Sequence, residues 1–326
     1  MSTEAADMVR TLAEEILLDT AFSLERPVTC EGLSFVPIVQ KESSEQEMEY
    51  MNAAEAIDKG LLKLIEMGDA VNTIMAHNIG KIPILIEEAE VLSAAGSQDR
   101  IVVSSVLLQP GEKKRIAVKC VHAPHGLFRG SGLHTVGAAS YGLRETIRFQ
   151  KYRAVMTDVE HYVPETAVDQ SVVWDRVKEY CKSAGTPDPD KYVEALDALR
   201  KKAEGDSKEV LDSLPNRTSG LIILDALGEL ISFEFYRNHK AFSKRLGFIE
   251  SVLMEYGKEK ARTLEEEAAF AKAVQILMQL KDINPDEVVS HESTESIHIG
   301  TSYLKGEAVT GKKRKKSSIL YCSFGK

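Results

Sequence analysis

The sequence predicts an α+β fold: an antiparallel, sandwich-like β half, then helices, then an α+β half whose last strands return to the core. Three observations predict it. Between Pro27 and Val121, short apolar runs follow one another, each bounded by turn residues and with no crossover helix between them. That spacing implies antiparallel pairing, as a sandwich or a strongly curled sheet. From Ala138 to Leu214 the apolar residues recur instead at helical spacing. After residues 215–220 strand-like alternation returns, and the chain closes on two further strand candidates.

The elements follow in order. Met8, Leu12 and Ile16, with Val9 beside them, predict an N-terminal amphipathic helix whose stripe packs on the body of the protein or on a second copy of it. Residues 33–39 contain a short alternating run. Residues 52–59 read as a brief helix, with Asn52 as N-cap and Gly60 just past its end. Strand candidates follow at 61–66, 71–77, 82–87, 101–108 and 116–121. Helices are expected at 138–149, at 170–183 with Gly185 as stop signal, from Pro189 to about Ala203, and at 207–214. Residues 221–224 and 229–236 flank Asp225 and Gly228 as a hairpin, with Ile231, Phe233 and Phe235 on one face. One helix is expected over 239–256 and another from Thr263, where Thr263 and Glu266 form a capping box, to about Lys281. Strands at 296–309 and 317–324 end the chain. The division read from this is a helical arm over 1–22, a β-rich half over 23–134 and a mixed half over 135–326, the two halves forming one composite domain or two separate ones.

Composition narrows the function classes. With 43% hydrophobic and 28% charged residues in 326, the chain is of the globular class and needs no disulfide or metal to build a core. Cys30, Cys120, Cys181 and Cys322 lie far apart and read as reduced thiols of a cytoplasmic protein. The apolar runs are too short to span a membrane, and the acidic N-terminus is no signal peptide. A net charge of −9 argues against general nucleic-acid affinity.

Several segments carry a resemblance. They are the run Leu92-Ser93-Ala94-Ala95-Gly96-Ser97-Gln98-Asp99-Arg100, then residues 107–111, the strand Val118-Lys119-Cys120-Val121 and the helix opening Gln170-Ser171-Val172-Val173-Trp174. With residues 221–235 and the closing strands, they resemble the family of ARG and rhodanese-phosphatase-superfamily-associated proteins. Two departures stand out. His122-Ala123-Pro124-His125-Gly126 replaces the acidic residue and Gly-Arg-Trp that commonly follow Cys-Val, and Ala94-Ala95 stands where a second glycine is usual. The resemblance implies a link to ADP-ribose and related phosphate-sugar metabolism. It supplies no mechanism.

Four constellations are candidates for chemistry. Gln98, Asp99 and Arg100, near the acids Glu87, Glu88 and Glu90, could grip a phosphate and orient a sugar; the plainer alternative is an ion pair that fixes a loop. Arg129, Gly130, Ser131 and Gly132 lie in a glycine-rich segment whose backbone N–H groups could cradle an anion, aided by a helix start after His134, although no P-loop is present. Cys120, His122, His125 and His134 lack standard ligand spacing, so no metal is assigned, and the sequence leaves the question of a cofactor open. Lys312, Lys313, Arg314, Lys315 and Lys316 form a basic hairpin tip without interleaved aromatics. It is either a solvated turn that protects a sheet edge or a contact for RNA or an acidic partner.

Two functions are expected from this. The first is binding or processing of a phosphate-bearing small molecule, with Arg100 and Arg129 on phosphate, Gln98 and Asp99 on sugar, and the backbone of Gly130, Ser131 and Gly132 on oxygens. The second is a non-enzymatic, homo-oligomeric interaction protein that self-associates through the N-terminal helix and uses the basic tip for RNA or an acidic partner.

Overall fold

The structure is a computed structural model, and it describes residues 2–42, 49–67, 72–94, 98–121, 132–186, 192–245, 247–257, 262–291, 296–301, 304–313 and 316–326. In chain order its elements are α1 (Ser2–Leu17), β1 (Phe22–Leu24), β2 (Val28–Cys30), β3 (Leu33–Gln40), β4 (Met51–Asn52), α2 (Ala53–Asp58), β5 (Leu62–Glu66), β6 (Thr73–Asn78), β7 (Ile84–Ile86), β8 (Glu90–Ser93), β9 (Arg100–Val102), β10 (Val106–Leu108), β11 (Lys113–Cys120) and β12 (His134–Ala138). Then follow α3 (Tyr141–Thr157), α4 (Pro164–Ala167), α5 (Gln170–Ala184), α6 (Tyr192–Ser213), β13 (Thr218–Leu224), β14 (Leu230–Tyr236), α7 (His239–Phe242), α8 (Gly247–Tyr256), α9 (Glu266–Lys281), β15 (Val288–His291), β16 (Ser296–Gly300), β17 (Lys305–Lys313) and β18 (Lys316–Gly325). The fold is α+β, as expected. No helix among the described residues is long and apolar enough to cross a membrane.

The chain divides into two compact units, one of Met1–Met48 with Ala203–Lys326 and one of Glu49–Lys202. The first is built on a nine-stranded sheet in the order β1-β3-β13-β14-β18-β17-β16-β15, with β2 also on β3. Every pairing in it is antiparallel. One face carries Val36, Ile38, Ile222, Phe233, Phe235 and Phe324 against α1 and α9. The helical period of α1 puts Val9, Leu12 and Ile16 into that core, each 2% exposed or less. Their burial contributes about 1.5–3 kcal/mol apiece. The stripe expected to serve self-association is therefore covered within its own unit. Gly306 lies so close to the backbone of Ser323 on β18 that a Cβ there would collide with it, which makes it a position only glycine fills. On the opposite face Glu234, Ser323, Glu307 and His298 follow one another across β14, β18, β17 and β16 as register partners, all buried.

The second unit has a six-stranded antiparallel sheet, β12-β8-β9-β11-β6-β5, and a three-stranded one, β10-β7-β4. They share a core of Ile74, Ile86, Leu92, Val102, Leu108 and Val118, among others, closed by Ala53 and Ala56 of α2. β11 does double duty, pairing β6 with its first half and β9 with its second. The wholly antiparallel expectation fails at one place: β4 runs parallel to β7, through only two residues. Asn52 caps α2 by accepting from the Glu55 N–H at 2.9 Å, and Gly185 ends α5 in the left-handed region, both as expected.

Other boundaries differ. Residues 101–108 form two strands, β9 and β10, separated by a turn. The two helices expected between Pro189 and Leu214 are one, α6, which runs through Gly205, since a glycine in a helix interior weakens the helix without ending it. Residues 239–256 form two helices, α7 and α8. The capping box at Thr263 is absent: α9 starts after Glu265, with no side-chain cap.

Candidate functional site

A heavily charged buried region lies in the unit of Glu49–Lys202. The buried face of α3 carries Arg144, Arg148 and Lys151, at i, i+4 and i+7, together with Ile147 and Val155. All three cations converge on Glu88. Arg148 Nε lies 3.2 Å and Arg144 Nε 3.8 Å from Oε1, and Lys151 Nζ pairs with Oε2. None of the four side chains is more than 5% exposed.

The backbone aims Glu88 at the helix. Ala89 lies in the left-handed region at φ 61°, a conformation that costs a non-glycine residue about 1–2 kcal/mol. The surroundings hold it there. Ala89 N–H donates to Val102 O at 2.8 Å, Ala139 N–H donates to Ala89 O at 2.8 Å, and Glu88 N–H donates to Ser105 Oγ at 2.8 Å. Burial alone would push the Glu88 carboxyl up; Lys151, Arg148 and Arg144 outweigh it and hold the group at about 2. Glu88 is thus ionised at neutral pH in a water-poor setting, and perturbed groups of this kind gather at functional sites.

A second set of contacts adjoins the end of β11. Cys120 Sγ donates to Gln98 Oε1 at 3.3 Å. The Gln170 amide clasps the Cys120 backbone from both sides, accepting from its N–H at 3.0 Å and donating to its carbonyl at 2.6 Å. Arg100 is the register partner of Cys120 and is 1% exposed. Its guanidinium pairs with Glu66 on β5 at 3.4 Å. On a flat sheet, β9 and β5 would lie about 14 Å apart, so the pair also records how strongly this sheet curls.

The family follows from a match over most of the chain. The model of the ARG and Rhodanese-Phosphatase-superfamily-associated Protein domain matches residues 21–324. The chain belongs to that family. No curated protein and no solved structure matches it. In this family member Gln98, Cys120 and Gln170, one residue from each of three segments that carried the resemblance, meet at the end of β11.

The other sequence-derived residues are placed as follows. Asp99 is half-buried, and its carbonyl accepts from Val121 N–H at 3.0 Å. Arg129, Gly130, Ser131, His122 and His125 lie outside the described residues. Gly132 is exposed, as is His134. No helix starts directly after His134: β12 comes first, and α3 begins only at Tyr141. Among the described residues no group of three or more His, Cys, Asp or Glu is arranged to hold a metal ion. Lys313 faces Lys316 across the β17–β18 hairpin and Lys312 faces Ser317, which puts the basic run at the hairpin's end; Arg314 and Lys315 lie outside the described residues.

Sequence reasoning singled out Glu88 but missed its partners Arg144, Arg148 and Lys151. Their signal was present, because they share a helix face with Ile147.

Proposed function

We propose that residues 49–202 bind a phosphate-bearing small molecule related to ADP-ribose. The observation that carries this reading is the cation stripe of Arg144, Arg148 and Lys151, held in place by Glu88. Guanidinium forks match phosphate oxygens two at a time, and an ammonium adds a compact charge. Cations already fixed in a water-poor region lose little freedom on binding an anion. The strained turn at Ala89 fits the same reading, since local strain tends to be kept where it serves a site. The family's name, which sets it beside a phosphatase superfamily, agrees with phosphate chemistry. In this proposal Gln98 and Asp99 orient the sugar. Arg100 and Arg129 add phosphate contacts, and the backbone of Gly130, Ser131 and Gly132 takes further oxygens.

Thermal-shift measurements with ADP-ribose, AMP, ribose 5-phosphate and inorganic phosphate test it. A ligand present at 100 times its Kd adds about 2.7 kcal/mol to the folded state, enough to raise Tm visibly. The expected result is a shift with ADP-ribose that is lost in Arg148→Gln. Arg129→Ala serves as the second variant should the first fail to fold. No shift with any of these compounds, or a shift that survives both substitutions, overturns the reading.

A further inference from the structure

Past its neighbours in the sheet, the β17–β18 hairpin continues as a two-stranded ribbon. β16 pairs with β17 only from Lys305 to Val309, and β14 pairs with β18 only from Tyr321 to Phe324. The hairpin runs on through the rungs Thr310–Ile319, Gly311–Ser318, Lys312–Ser317 and Lys313–Lys316, with no third strand paired to them among the described residues. A bulge marks the change. Val309 faces Tyr321 and Thr310 faces Ile319, so β18 carries Leu320 as an extra residue. A bulge bends its strand and adds right-handed twist. The root of the ribbon is fixed: Arg237 donates through its N–H to Leu320 O at 2.8 Å and through Nε to Ile319 O at 2.7 Å, and its guanidinium pairs with Glu15 at 2.8 Å.

The far end carries charge where a hairpin ordinarily avoids it. Lys313 faces Lys316 on the last rung, and like charges directly opposite one another destabilise a strand pair. Lys312 adds a third cation on the rung before. The residues that link the two strands in the sequence are Arg314 and Lys315, not the Asn-Gly or Asp-Gly that two-residue links favour. Protection of a sheet edge calls for charge along an exposed strand, whereas here it is gathered on both strands at the closed end.

Charge and shape indicate the partner. Cations collected on one element of an otherwise acidic chain suit a polyanion that touches that element alone. The major groove of B-form DNA, about 12 Å wide, admits a two-stranded ribbon, while that of duplex RNA is too narrow to be read. Both walls of the groove are rows of phosphates, and the ribbon places lysine on both of its strands. Residues 310–318 hold no aromatic side chain on which the bases of a single strand could stack.

We propose that the end of the β17–β18 ribbon enters the major groove of duplex DNA and holds its phosphates through Lys312, Lys313 and Lys316. The binding is independent of sequence, because contacts to phosphate position a protein without reading bases. It belongs to the unit of Met1–Met48 and Ala203–Lys326 and does not depend on the ligand reading of residues 49–202.

Fluorescence anisotropy of the full chain with labelled duplex DNA, over a series of salt concentrations, tests it. Wild type is expected to bind at low salt, with affinity falling steeply as salt rises. Each phosphate contact adds about 0.9 to the slope of log K against log salt, so Lys312→Gln, Lys313→Gln and Lys316→Gln together lower that slope by about 2.7, and Lys316→Gln alone by about 0.9. Tm does not fall in either variant, because the like-charged rung is relieved. Unlabelled duplex RNA and polyglutamate are expected to compete weakly. Absence of DNA binding by wild type, or a slope unchanged in the triple variant, overturns the proposal. Stronger competition by polyglutamate overturns it in favour of an acidic protein, and stronger competition by duplex RNA overturns the groove as the seat of the ribbon.

Discussion

Glu88 and Glu234 are each 1% exposed, and the two units hold them in different ways. Glu234 on β14 accepts hydrogen bonds from two hydroxyls on one oxygen, Ser232 Oγ at 2.7 Å and Ser323 Oγ at 2.6 Å. Those donors come at no distance. Ser232 is two residues away on the same strand, and Ser323 is the register partner on β18. Glu88 sits instead on a strained turn and draws three cations from a helix more than fifty residues later in the chain. The serine arrangement is one the sheet supplies as it forms. The cation arrangement has to be assembled from distant parts, and each long side chain in it gives up rotamer freedom. Buried ion clusters seldom improve on a well-packed apolar core, so their retention invites a functional explanation in the second unit more than in the first.

The largest expected effect comes from breaking the cation cluster. Lys151→Met keeps the volume of the side chain but removes the ammonium that pairs with Glu88 Oε2. It should cost about 3–5 kcal/mol, because a buried carboxylate loses a principal counter-charge. Urea unfolding at neutral pH measures this. A cost under about 1 kcal/mol would mean that Arg144 and Arg148 suffice and that the cluster is not the unit's critical feature.

Acid unfolding sharpens the same contrast. The folded-state pKa of Glu88, about 2, lies below the ordinary glutamate value of about 4.3. Its ionised form therefore stabilises the fold fully above that ordinary value, and the contribution is lost as pH falls from there through about 2. The whole amounts to about 3 kcal/mol. Glu88→Gln does not titrate, so the stability difference between wild type and this variant should shift by about that amount between neutral pH and pH 2, to the disadvantage of wild type. A difference that stays constant over the range would show that the three cations do not hold the carboxyl down.

Local signals in the sequence were legible where one residue decides the outcome. Asn52 caps α2, Gly185 ends α5, and Val173, Val177, Tyr180 and Cys181 turn inward as their spacing requires. Legibility failed where the tertiary surroundings overrule a weak preference. Gly205 costs α6 about 1 kcal/mol without stopping it, since a glycine in a helix interior only weakens the helix. The pairing of β4 with β7 spans two residues and leaves no periodic trace. At the candidate site, Glu87, Glu88 and Glu90 were conspicuous as acids beside Gln98 and Arg100. Arg144, Arg148 and Lys151 were passed over because arginine and lysine on a helix normally face water. The helix was also expected to end at Phe149, short of Lys151, whereas α3 continues to Thr157.

A smaller effect tests the other side of the comparison. Ser323→Ala removes one of the two hydroxyls that donate to Glu234 Oε1, leaving Ser232 in place. A buried hydrogen bond contributes about 0.5–1.5 kcal/mol net, so this variant should lose less stability than Lys151→Met. Ser232→Ala and Ser323→Ala combined should cost a different amount from the sum of the two, because both donors share one oxygen and the cycle reads their coupling directly. Should Ser323→Ala prove as damaging as Lys151→Met, neighbouring hydroxyls are no gentler a way to bury a glutamate than distant cations. The functional weight placed on the Glu88 cluster would then apply equally to the row of Glu234, Ser323, Glu307 and His298.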